Sequence, residues 1–430
     1  MHSNKFWSAA GKLLAVMTAV VIVILAFAPA TAAASKYKVL HKFSNDREHL
    51  DGTSPYGGLI FDTAGNIYGT TAWGWGDPCY WHGCGTAFRL TPNENGSWTE
   101  TIILNYDFLN TDPGSWPMAG LVLDASGNLY GTTAGDYQCC GRVIAGSPNL
   151  DGSWSWRELH SFTGPEGARP YAGLIWDESG KLYGTTTEGG AYGYGVVFEL
   201  TPNPDGSWTE SVLYTFSSGK DGANPYAGLV FDSTGSLYGT TAGGGSAGCG
   251  GPGCGIVYKL TSSGSNWKET VLHRFSGGKD GANPYAGLIF DGTGNLYGTT
   301  NGGGSYGYGI VFNLTPNPNG SWKEKVLHHF TGGKDGANPY AAVALDPTGN
   351  LYGTTWNGGS HGYGTVFRLA LGLDGKWREH VLHAFAGKPG KNPYAGVTLD
   401  SVGKIYGTTA GGESDCSYWS DCGTVYEITP

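Results

Sequence analysis

Residues 283–330 read NPYAGLIFDGTGNLYGTTNGGGSYGYGIVFNLTPNPNGSWKEKVLHHF. The stretch holds four short apolar runs, AGLIFD, NLYGTT, GIVFNLT and WKEKVLHHF, each bounded by Gly, Asn, Asp or Pro. Runs of this length between turn-forming residues predict strands. The link Asp291-Gly-Thr-Gly-Asn295 offers glycine for a positive φ and an aspartate that can bond back to the backbone. Asn319-Gly320, between the third and fourth runs, is the favoured signal of a two-residue hairpin. One such stretch is therefore a four-stranded antiparallel unit.

The unit recurs. The motif [IL]YGTT stands at 67–71, 129–133, 182–186, 237–241, 296–300, 351–355 and 405–409, its tyrosines 62, 53, 55, 59, 55 and 54 residues apart. Self-similarity at such a period marks a repeat architecture whose units bury their faces against neighbours. Outside the N-terminus the chain lacks a 3.6-residue apolar period, so the body reads as all-β. Tyr37–Phe43 (YKVLHKF) is a fourth strand with no first three before it, and 423–429 (GTVYEIT) is a third strand with no fourth after it. The early strand completes the last unit. Closure removes the exposed sheet edges that invite aggregation. The expectation is a seven-bladed β-propeller of four-stranded blades, one domain over 35–430. The closing strand is 37–43, and the blades fall at about 53–108, 113–162, 167–216, 222–275, 281–330, 336–385 and 390–430.

Lys5 and Lys12 precede the apolar run 13–28, followed by small residues to Ala34. A charged start, an apolar middle and A-x-A spacing describe a secretory signal peptide over 1–34, with a secreted, extracellular or periplasmic destination. The formal charge is −10, and Lys5 and Lys12 are the only Lys, Arg, Asp or Glu in that segment, so the remainder carries −12. With no basic cluster, neither nucleic acid nor an anionic membrane surface is an expected partner. Eight cysteines fall in close pairs, Cys79/Cys84, Cys139/Cys140, Cys249/Cys254 and Cys416/Cys422, each in the loop after [IL]YGTT. Behind a signal peptide, such pairs read as local disulfides. The vicinal pair Cys139–Cys140 fits least well, since adjacent residues bridge only with a strained peptide.

In a propeller the loops between blades and those between second and third strands share one face, and that is where the units differ. The inter-blade loops set Tyr56, Tyr171, Tyr226, Tyr285, Tyr340 and Tyr394 at the channel mouth, with Met118 in their place in blade 2. They could hold a ligand, although packing of blade on blade is the simpler reading. The loops 72–84 and 410–422 belong to blades that closure makes neighbours. They bring Trp73, Trp75, Tyr80, Trp81, Tyr418 and Trp419 to one sector, with Asp77, Glu413, Asp415 and Asp421 nearby. Aromatic platforms with carboxylates suit stacking on sugar rings, or else the rings cover the closure seam. The loops 189–195, 303–309 and 359–365 repeat nearly unchanged and read as scaffold.

Aspartates 62, 124, 177, 232, 291, 346 and 400 end every first strand. Each stands alone before a glycine turn without the several oxygen ligands of a calcium loop, so capping is expected. Histidines 41, 160, 273, 328 and 383, one per blade and far from the axis, do not converge on a metal. No metal or cofactor is expected. G-x-S-x-G, H-E-x-x-H and the phosphate-binding loop are absent. The loop-face carboxylates leave a glycosidase pair open.

The recurring pattern AGL-x-x-D-x-x-G-x-LYGTT-…-GG-…-G-x-VF-x-L over 37–430 resembles the GloVer tandem repeat of secreted bacterial proteins described as choice-of-anchor. The resemblance implies export and repetition, and no activity. Family members often carry a C-terminal sorting segment, which the sequence to Pro430 does not show. Two functions remain: an exported, monomeric binding or scaffold propeller for polysaccharide or an extracellular protein, and a secreted glycan hydrolase or lyase using loop-face carboxylates. The first is favoured.

Overall fold

The structure is a computed structural model and describes residues 35–44, 51–74, 83–106, 116–135, 140–249, 251, 253–264, 266–413 and 422–430. In blade 5 the strands are Ile289–Phe290, Leu296–Thr300, Ile310–Pro316 and Trp322–His329, antiparallel and paired in that order. Six further four-stranded sheets repeat this order. In the seventh, Lys36–Lys42 forms the outermost strand on Cys422–Thr429, with Tyr37 opposite Ile428. The molecule is a seven-bladed propeller closed by its N-terminal strand.

The motif that organises the sequence has a separate task at each position. Leu296 is fully buried. Tyr297 donates its phenol proton to Asp291 Oδ2 at 3.1 Å, and the same bond recurs in every blade, at 2.9 Å for Tyr238 to Asp232 and 3.3 Å for Tyr406 to Asp400. The other oxygen, Asp291 Oδ1, accepts from the backbone N–H groups of Thr293 and Asn295 at 2.8 and 3.0 Å. This is the capping role expected of the aspartates. Gly298 faces Phe312 of the adjacent strand, and a Cβ there would lie 2.7 Å from Phe312 Cζ.

Thr299 Oγ1 donates to Ala341 O of the next blade at 3.0 Å. Equivalent bonds run from Thr70, Thr132, Thr185, Thr240 and Thr354 to the blades that follow, and from Thr408 to Pro55 O across the closure. Seven hydroxyls thus stitch the blades into a circle. They also explain why each first strand has only two residues, where six were expected. The Ala-Gly segment before it turns a carbonyl to the neighbouring blade instead of to its own ladder.

Core packing lies between blades. Phe330 directly follows the fourth strand of blade 5, is fully buried, and meets Phe367 of blade 6 edge-on at 5.3 Å. Phe43 meets Phe88 in the same way at 5.1 Å, across the seam. Burying one such ring contributes roughly 2–3 kcal/mol. The histidine two residues earlier sits at the blade edge, half-buried, and pairs with a carboxylate of the following loop: His41 with Asp51 and His328 with Asp335, both at 3.1 Å. Among the described residues no cluster of His, Cys, Asp and Glu could hold a metal.

Candidate binding site at the channel mouth

The segment Asn283-Pro284-Tyr285 shows how the mouth is built. Asn283 takes the left-handed conformation, φ 53°, which asparagine tolerates better than other residues bearing a Cβ. Its Nδ2 donates to Ala242 O of the preceding blade at 2.9 Å. Asn224, Asn338 and Asn392 do the same to Thr187 O, Asn301 O and Trp356 O. The following proline is buried, and the next residue, Tyr285, lines the channel.

Six tyrosines meet there in sequence. Ring centroids are 5.5 Å apart for Tyr171 and Tyr226, 5.1 Å for Tyr226 and Tyr285, and 5.5 Å for Tyr285 and Tyr340. The belt continues at 5.0 Å from Tyr340 to Tyr394 and 4.9 Å from Tyr394 to Tyr56. Met118 stands between Tyr56 and Tyr171 and interrupts the aromatic series. The tyrosines pack on one another while each stays half-buried, with a face or edge left to the cavity. That cavity holds about 330 Å³ and is lined by the seven side chains and the Ala-Gly backbone behind them.

Among the described residues, no Asp, Glu, His, Lys or Arg lines it. Burial pushes the Tyr226 phenol up to about 12 and raises those of Tyr56, Tyr285 and Tyr394, so these hydroxyls stay protonated near neutral pH. The described lining is aromatic, uncharged and rich in hydroxyl donors.

The rim is not uniform. Trp356 packs edge-on against Tyr340 and Tyr394, at 6.0 and 5.7 Å. Trp73 lies 5.2 Å from Trp116, and its side chain hydrogen-bonds to the Tyr56 phenol. Arg169 Nε meets Glu188 Oε2 at 3.1 Å, and the Arg169 side chain also bonds to Tyr171. Sequence reasoning singled out Trp73 but missed Trp116, Trp356, Arg169 and Glu188. The available signal was each blade's departure from the Asn-Pro-Tyr and Gly-Gly pattern of its siblings. Of the other expected aromatics, Trp75, Tyr80, Trp81, Tyr418 and Trp419 lie outside the described residues, as do Asp77, Asp415 and Asp421.

Cys249 and Cys254 form a disulfide with Cα atoms 5.2 Å apart. Cys84 and Cys422, both buried, are disulfide-bonded; Cys79, Cys139 and Cys416 lie outside the described residues. Cys140 is half-buried. The loops read as scaffold place Tyr192 and Tyr306 in solvent, 63% and 60% exposed.

The Gloeobacter/Verrucomicrobia repeat matches residues 147–252 and 250–430. The chain belongs to this repeat family. No curated protein matches it. Among solved structures it is similar to a protein from Lactobacillus plantarum, at 16% identity over 75% of this chain and 84% of that one, TM-score 0.47. A luciferin-regenerating enzyme is similar at 14% identity over 91% and 96%, TM-score 0.41. A Thermus thermophilus protein described as an oxidoreductase (glucose dehydrogenase) is similar at 18% identity over 72% and 95%, TM-score 0.41. None of these likenesses carries an activity over to this repeat protein.

Proposed function

We propose that this member of the repeat family is an exported binding propeller that takes a saccharide at the tyrosine belt. One observation carries the reading: six half-buried tyrosines around a cavity with no charged side chain in its lining among the described residues. Aromatic faces match the C–H faces of pyranose rings, and phenol hydroxyls match sugar hydroxyls. A neutral lining favours a neutral, hydroxyl-rich ligand over a phosphate or a carboxylate. Among the described residues it also holds no carboxylate pair of the kind glycoside hydrolysis uses. The apolar N-terminal segment supports export, as do the paired cysteines.

The test is an immobilised polysaccharide panel probed with oxidised protein from residue 35, reading both retained protein and released sugar. Retention without release is expected. Tyr340→Ala should weaken retention at least about tenfold, or ~1.4 kcal/mol, as truncation of a central aromatic anchor does. Sugar release, or retention untouched by Tyr340→Ala and Tyr394→Ala, would sink the reading.

A further inference from the structure

The position two residues before each belt residue is left-handed in all seven blades, with φ between 52° and 65°. Asparagine fills it in blades 4 to 7, where its side chain ties one blade to the last. Blades 1, 2 and 3 carry Ser54, Trp116 and Arg169 instead. Serine is a small exchange. Tryptophan and arginine are not, because a bulky side chain at positive φ crowds its own backbone. The backbone role itself is unchanged: Trp116 N–H donates to Cys84 O and Arg169 N–H to Cys140 O, just as Asn283 N–H donates to Cys254 O. Two neighbouring blades thus keep the costly conformation and give up the side chain best suited to it. A departure from the local rule, repeated at adjacent sites, points to use of the side chains.

The same sector departs from the pattern in two further ways. Met118 breaks the tyrosine belt between Trp116's blade and its neighbours. Across from the left-handed position, the second residue after [IL]YGTT is glycine in four blades and the small Asn357 in blade 6, but Trp73 in blade 1 and Glu188 in blade 3. These replacements meet in two pairs. Trp73 and Trp116 present two indoles inclined at 51°. Arg169 and Glu188 form an ion pair, with the glutamate 54% exposed, and both act on the Tyr226 phenol. Trp73 bonds to Tyr56 and Arg169 to Tyr171, so the four side chains continue directly from the cavity.

We propose that Trp73, Trp116, Arg169 and Glu188 form a second saccharide subsite, outside the belt and over blades 1 to 3. The proposal rests on the belt's binding a saccharide and adds what that saccharide must be: a neutral oligosaccharide that leaves the cavity in one direction. A cavity of about 330 Å³ is at the lower end of the ~300–1,000 Å³ of small-molecule sites, which leaves the rest of a chain outside. The inclined indoles receive a ring face. The guanidinium keeps donors beyond the Nε–H that meets Glu188, and the exposed carboxylate accepts. Because the pair is neutral overall, hydroxyls rather than a charged group are its match.

The test returns the sector to the pattern of its siblings. Trp116→Asn is one variant; Arg169→Asn with Glu188→Gly is another, independent of it. Both install residues that other blades hold at these positions, so thermal unfolding should show Tm unchanged or raised. Affinity is then measured for mono- to hexasaccharide ladders of β-1,4-glucan, β-1,4-mannan and α-1,4-glucan. In the unaltered protein, affinity should rise at least tenfold from the monosaccharide to the trisaccharide of the preferred ladder. Each variant should lose that gain, and Trp116→Asn, which removes a ring packed on Trp73 rather than on a belt tyrosine, should hold the monosaccharide within twofold. If both variants keep the length dependence, the second subsite is wrong and the belt reading stands. If no ladder binds the unaltered protein, both are wrong.

Discussion

Tyr37, in the strand that closes the propeller, stacks on His383 of the neighbouring blade with centroids 4.0 Å apart and planes 7° from parallel. Its ring also meets Phe385 edge-on at 6.0 Å, and its hydroxyl donates to Pro389 O at 2.9 Å. The closing strand is therefore clamped to blade 6 as well as hydrogen-bonded within blade 7. Tyr37→Ala should lower the unfolding free energy by about 2 kcal/mol, less than the ~3–5 kcal/mol of a fully buried aromatic because the ring is only half-buried. Urea titration decides it; a midpoint unchanged from that of the parent would mean that the ladder alone holds the seam.

Burial pushes the His383 imidazole down to about 4, from an ordinary value of 6.5. A depressed folded value means that the neutral ring is the one the fold accommodates. Its contribution is complete above 6.5 and is lost as pH falls towards 4. The stability of His383→Phe relative to the parent should therefore rise as pH drops through that window. Melting curves at pH 7, 5.5 and 4 check this, and a constant difference would contradict it.

Glu324 behaves in the opposite sense. Burial first, and then the Asp280 carboxylate, push it up to about 7 from 4.5; its Oε1 has no hydrogen-bond partner. With the folded value raised, the associated stability is complete below 4.5 and is lost as pH rises through 7. Glu100, Glu210, Glu269 and Glu379 share the position and the upward shift to about 7. Glu324→Gln should match the parent near pH 4.5 and melt higher at pH 8, by on the order of 1 °C. Equal Tm values at pH 8 would show the glutamate to be hydrated there.

Two glycines of blade 5 separate packing from turn formation. A Cβ on Gly298 would lie 2.7 Å from Phe312 Cζ, whereas one on Gly292 would meet nothing within 4 Å. Gly298→Ala forces a buried ring to move and should cost about 1–3 kcal/mol. Gly292→Ala only narrows the unfolded ensemble and should gain up to about 1 kcal/mol. The reverse order of stabilities would overturn this account of the motif's glycine.

Blade number, strand order and closure were legible because each depends on contacts within one repeat, or on counting strands at the two ends. The capping aspartate was legible for the same reason: Asp291 and its backbone partners are at most four residues apart. The bond from Tyr297 to that aspartate was not anticipated, since it needs the pairing of first and second strands. Nor were the threonine stitches, whose partners lie about 40 to 50 residues away in the next blade.

The belt divides along the same line. The six tyrosines were found from their register in the repeat, but whether they pack or bind depends on how far seven inner strands stand from a common axis. That distance is a property of the closed circle, in which Tyr56 and Tyr394 come within 4.9 Å across 338 positions of chain. Trp116, Arg169 and Glu188 are ordinary residues in the linear text. Only the left-handed backbone, and the convergence of three blades on one rim, set them beside the cavity. Periodic local chemistry specified the scaffold; the ring geometry decided which irregular side chains share a site.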